Sequence, residues 1–88
     1  MKADVITMDQ RLQNIIGALE ELKNDVTVPK NIKIKITLMI EMLHNKSEDF
    51  VLQKDRVLSE LDEITEDANL QAYTRTQIWN VVSALEMI

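Results

Sequence analysis

LEELKNDVTVPKNIKIKITLMIEML, residues 19–43, lies without a gap over LDEITEDANLQAYTRTQIWNVVSAL, residues 61–85, an offset of 42 positions. Leu19, Glu21, Asp25, Ile36 and Leu43 recur as Leu61, Glu63, Asp67, Ile78 and Leu85. The pairs Leu22/Ile64, Val28/Leu70, Lys33/Arg75 and Met39/Val81 are like for like. A period of roughly 40 residues is that of stacked helix pairs, so the chain reads as two copies of one helical hairpin. An offset of this size is nearly a whole number of helical turns, and any two amphipathic helices would partly coincide at it. What favours duplication over coincidence is the interruption: Asp25 to Val28 and Asp67 to Leu70 both run acid, small, polar, apolar.

Working outward from the repeat, the chain is expected to be one all-α domain over residues 1–88, a compact four-helix array. Hairpin one covers about 8–44 and hairpin two about 48–88. Helix one opens with a capping box, Thr7 to Gln10, and its apolar residues Met8, Leu12, Ile15, Ile16, Leu19 and Leu22 form one stripe. It is placed at 8–24, with Gly17 in mid-helix as a point of close helix packing. Thr27 is expected to cap the second helix, with Pro29 in its first turn, and Ile32, Ile36, Met39, Ile40 and Leu43 form its stripe. Residues 44–47 link the hairpins, and Ser47 caps helix three, whose apolar set is Phe50, Val51, Val57, Leu58, Leu61 and Ile64. Asn69 stands where Thr27 stood, as a cap for helix four, which shows Ile78, Val81, Val82, Leu85 and Ile88 on one side. Ile32-Lys33-Ile34-Lys35-Ile36 alternates as an edge strand would, but no second alternating stretch could pair with it, so helix is retained.

Composition narrows the function classes. Eighty-eight residues with no cysteine and one histidine exclude thiol chemistry, disulfides and cysteine-based zinc sites. One Gly and one Pro leave little for tight turns. No apolar run reaches the ~20 residues of a bilayer span, and MKADVITMD lacks the apolar core of a signal peptide. A cytoplasmic protein without a membrane segment is expected. The net charge of −5 is uneven: −2 over residues 1–28, +3 over 29–46 and −6 over 47–88. An acidic total repels phosphate backbones, so nucleic acid is an unfavoured partner unless the lysines of helix two dominate the contact.

Helix two carries a second apolar stripe, Ile34, Leu38 and Met42, roughly opposite the first. The matching positions of helix four are Thr76, Asn80 and Ala84, which suit water. Each of the three apolar side chains gains on the order of 1.5 to 3 kcal/mol if fully buried, and a two-fold pairing buries six. A homodimer across Ile34, Leu38 and Met42 is therefore expected; the alternative is a helix two buried on both faces within the monomer. Tyr73, Arg75 and Trp79 are the expected contact residues for an unidentified protein partner, with core filling as the other reading of the rings.

Chemistry is sparsely represented, and neither catalytic residues nor a cofactor are expected. Glu41-Met42-Leu43-His44 has the Glu-x-x-His spacing of carboxylate-bridged di-iron bundles, but a bundle needs further inward glutamates where this chain has Leu, Ile and Val. A solvated histidine at the helix end is the preferred reading. Asp62, Glu63, Glu66 and Asp67, with Glu20, Glu21 and Asp25, read as solvated faces with a minor prospect of seating a basic partner. Lys30, Lys33, Lys35 and Lys46 diverge in direction and have no aromatic residue among them for base stacking.

With DVTVPKNIK (25–33) and DEITEDANLQAYTRTQIWNVVSALE (62–86) in view, the chain resembles a small archaeal family of all-helical proteins without assigned function, uncharacterised protein family zero-one-four-seven. Thr74-Arg75-Thr76-Gln77-Ile78-Trp79 is the signature that carries the resemblance, which spans nearly the whole chain. At Ala68 and Gln71 it departs from the proline the family favours. The resemblance implies the fold class and an archaeal source, and no activity. Similarity to HEAT repeats is weaker, because Asp25 to Lys33 and Asp67 to Arg75 are eight apart rather than about six. A compact array is expected over a curved solenoid.

Overall fold

The computed structural model describes residues 8–45 and 49–88. It holds four helices and, among the described residues, no strand: α1 Met8–Lys23, α2 Lys30–His44, α3 Phe50–Thr65 and α4 Ala72–Glu86. The lysine-isoleucine stretch is helical, and the expected all-α, four-helix class is what the chain adopts. Each helix packs on two others, α1 with α2 and α4, α3 with α2 and α4, while the diagonal pairs make no close backbone approach. Short connections make sequential neighbours antiparallel, so the ring closes as an up-down-up-down bundle.

The core follows the 3-4 spacing. Leu19, Ile36, Val57, Leu61, Ile78 and Leu85 are wholly buried, with Leu22, Ile32, Met39 and Ile64 nearly so. Val28 and Leu70, one from each hairpin loop, plug the same core. Among the described residues, α1 and α2 bury five apolar side chains each, α3 and α4 only three each. In the second hairpin polar groups take inward positions: Gln53 and Thr74 are buried. Val51, expected in the core stripe of α3, is instead 61% exposed, because the inward direction at that turn falls to Gln53. Gln53 Nε2 donates to the carbonyl of Asn45 at 2.7 Å, satisfying the backbone at the end of α2.

The two hairpin loops close with the same bonds. Asp25 Oδ1 accepts from the backbone N–H of Thr27 at 2.9 Å, and Asp67 Oδ1 from that of Asn69 at 2.8 Å. The carbonyls of Asp25 and Asp67 accept from Val28 and Leu70, three residues on. These aspartates make Asx turns, the local alternative to helix that their side chains favour. Neither Thr27 nor Asn69 caps a helix, contrary to expectation. The N-cap positions are Pro29 and Gln71, both extended and both without a side-chain cap bond. Thr27 is diverted because its hydroxyl donates to Asp25 Oδ1 at 2.7 Å. At α3 the cap is Asp49, which accepts from Val51 N–H at 2.9 Å. Ser47 and Thr7 lie outside the described residues.

Candidate interaction surfaces

On α2 the inward stripe Ile32, Ile36, Met39, Ile40 and Leu43 is buried throughout. Leu38 and Ile34 are each 55% exposed, and Met42 is half-buried at the edge of the core. Helix two is thus not central within the monomer: it packs on α1 and α3, and its outer face is open.

Two grooves run along the seams between the hairpins. The α1–α4 groove encloses about 400 Å³ over a floor of Ile15, Ala18, Val81 and Ala84, with Arg11 and Glu21 among its walls. The α2–α3 groove encloses about 580 Å³ and joins Leu38, Met39 and Met42 to the charged residues Lys35, Asp55, Arg56 and Glu60. The grooves are matched by the 42-residue offset: Gln77, Asn80, Val81 and Ala84 stand where Lys35, Leu38, Met39 and Met42 stand in the other. Their chemistry differs. Where the first groove has the small pair Ala18 and Ala84, the second has Glu60 and Met42, so the second carries bulkier and more charged side chains at these matched positions.

The three residues expected to meet a partner have different surroundings. Tyr73 and Trp79 are both exposed on α4, at 66% and 53%. The Tyr73 hydroxyl accepts from Gln77 Nε2 at 2.8 Å, one turn along. Arg75 is turned to the end of α3: its Nε donates to the Thr65 carbonyl at 2.8 Å and its Nη2 to the Asp67 carbonyl at 3.0 Å. A cation there satisfies the Thr65 carbonyl at the end of α3, adds a second bond to the Asp67 carbonyl of the loop and opposes the negative end of the dipole. Arg75 therefore serves α3 and the second hairpin loop directly.

Of the remaining candidates, Glu41 and His44 are exposed on α2. Among the described residues no group of three or more His, Asp or Glu side chains could hold a metal ion. Lys33 lies close enough to Asp25 for its charge to favour that carboxylate, and Lys35 Nζ sits 3.8 Å from Glu63 Oε1. Lys46 is outside the described residues. The Asp25 carboxyl is held below its usual range chiefly by the Thr27 backbone N–H, then by the Thr27 hydroxyl and Lys33. Gly17 is exposed with open space where a Cβ would stand, so it is not the point of close helix packing the sequence suggested. Among the described residues no helix is long and apolar enough to cross a membrane.

What sequence reasoning missed is the α3 side of the second groove. Asp55, Arg56 and Glu60 look like ordinary solvated residues until α3 is known to lie beside the outer stripe of α2. Their spacing along one side of α3 was the available signal.

Fold and surface together define a small, closed, all-helical bundle whose conspicuous features are two grooves between the hairpins and exposed apolar side chains. The chain belongs to the uncharacterised protein family UPF0147, whose profile matches residues 1–88. A UPF0147 protein of Methanocaldococcus jannaschii is 35% identical over 82 residues, covering 93% of this chain and 88% of that protein. One from Pyrococcus furiosus is 37% identical over 92 residues, covering 100% and 99%. The crystal structure of MMP1188, a protein of unknown function, is similar with a TM-score of 0.90 at 38% identity, covering 98% of each chain. That of a UPF0147 protein from Thermoplasma acidophilum has a TM-score of 0.84 at 38% identity, covering 90% of this chain and 94% of that one. The family has no assigned function.

Proposed function

We propose that this protein is a non-catalytic helical interaction and assembly module of the cytoplasm that pairs with itself. The observation that carries the reading is the half-exposed Ile34 and Leu38 on a helix whose opposite side is fully buried. Aliphatic surface held open on a rigid helix contributes nothing to the monomer's fold and gains free energy when a partner covers it. Exposed Tyr73 and Trp79 on α4 suit a contact with a different protein, since rings with a polar edge are the side chains that anchor interfaces. The matching Asx turns support reading the two hairpins as copies of one unit. A nucleic-acid role would draw on lysines of α2, two of which already face carboxylates, Lys33 with Asp25 and Lys35 with Glu63.

Sedimentation of the purified chain over a wide concentration range tests the pairing. A dimer that dissociates on dilution is expected, and Leu38→Glu should leave a helical monomer. A wild type that stays monomeric at the highest concentration reached removes this reading.

A further inference from the structure

The pairing reading leaves open which surface of the second copy is met and what sets its orientation. Around the α2–α3 groove stand two cations, Lys35 and Arg56, and two anions, Asp55 and Glu60, over the apolar side chains of Leu38, Met39 and Met42. The rim is therefore neutral in a chain whose net charge is −5. Two such chains repel each other through their acidic surfaces, and a balanced rim lets them approach without that cost. Three of these four charges are also uncommitted. Among the described residues Asp55, Arg56 and Glu60 form no ion pair, and Lys35 makes only the loose, water-exposed contact to Glu63. The corresponding face of α4 has Gln77, Asn80 and Ala84, so this combination is not a by-product of the bundle.

A two-fold contact requires a surface complementary to itself. A rim with both signs, one cation on α2 and the others on α3, meets that condition; a uniformly charged rim would not. We propose that the α2–α3 groove receives a second copy of this chain about a two-fold axis, with Lys35 and Arg56 of each copy set against Asp55 and Glu60 of the other. The apolar stripe Leu38 and Met42 is closed at the centre, Ile34 lies at its outer border, and the crossed charges fix the register. The proposal rests on the self-pairing reading and adds its surface and orientation.

Two full-length double variants test it. Lys35→Glu with Arg56→Glu makes the rim wholly acidic, and Asp55→Lys with Glu60→Lys makes it wholly basic. Each alone should sediment as a monomer at concentrations where the wild type is dimeric, with association weakened at least ~10-fold by like charges brought face to face. An equimolar mixture of the two should recover the dimer. Far-UV circular dichroism checks that each stays helical; if a double variant does not, the single exchanges Arg56→Glu and Glu60→Arg are crossed in the same way. A wild type that is monomeric throughout defeats the self-pairing reading and this proposal together. A dimeric wild type whose mixture associates no better than the separate variants overturns the groove assignment alone and leaves self-pairing standing.

Discussion

Gly17 shows how a single residue can be read wrongly from sequence. A glycine inside a helix usually marks a close approach of another backbone, yet here it faces open space. Its remaining effect is entropic, and Gly17→Ala is expected to stabilise the protein by about 0.5–1 kcal/mol, measured as a raised midpoint in denaturant unfolding. Asp25 was legible as part of the interruption between helices, but its bonding was not, because with a threonine two residues on, either side chain has the chemistry to close the loop or cap the next helix. In the folded chain it accepts from the N–H and hydroxyl of Thr27, which hold its pKa below the usual 3.8. The unfolded chain then binds the proton at higher pH than the folded one. Its contribution to stability is complete above the ordinary aspartate pKa and lost as pH falls through the lowered value. Carbon-detected NMR titration should find the Asp25 carboxyl midpoint below 3.8. Asp25→Asn, which keeps an acceptor for the turn, should remove that share of the acid sensitivity.

Among the elements, helix number and type were legible because four 3-4 apolar stripes are separated by polar interruptions, and periodicity encodes which side turns inward. Helix starts were less so. Thr27 and Asn69 have the chemistry of caps, but the two-residue reach of Asp25 and Asp67 uses their N–H groups and moves each helix start to the residue before Lys30 or Ala72. That position is extended in both hairpins, with φ −58 and ψ 148 at Pro29 and φ −70 and ψ 150 at Gln71. Proline fixes φ near −65° and is already accommodated at the matching position 29, so Gln71→Pro restricts only the unfolded chain. A gain of about 0.4–1 kcal/mol is expected, seen as a higher thermal midpoint with unchanged helical content. Arg75 had the same ambiguity as the caps. Its place between Tyr73 and Trp79 suggested a contact residue, and what decides its role is the end of α3, which sequence spacing does not locate.

At the scale of the whole molecule, the second stripe of α2 was visible in the sequence because it depends only on angles around one helix. The groove it borders was not, since that depends on α3 lying beside α2 and on the diagonal helices staying apart. The same packing makes two leucines of one chain opposites. Leu19 of α1 is wholly buried in the single core, and Leu38 of α2 is 55% exposed. A domain of this size has only a few kcal/mol of net stability, and truncating a buried leucine costs roughly 2–5 kcal/mol through lost burial and the cavity left behind. Leu19→Ala is therefore expected to abolish cooperative unfolding near room temperature or bring its midpoint close to zero denaturant. Leu38→Ala, compared at concentrations low enough for the wild type to be monomeric, should shift stability by no more than ~0.5 kcal/mol, because the side chain has little to lose. At high concentration the comparison changes. A copy paired through α2 stabilises the fold by mass action, so the gap between Leu38→Ala and wild type should widen as protein concentration rises, while the midpoint of Leu38→Ala itself moves less. Urea unfolding at two concentrations a hundredfold apart measures both effects, and a gap independent of concentration would place Leu38 outside any self-contact.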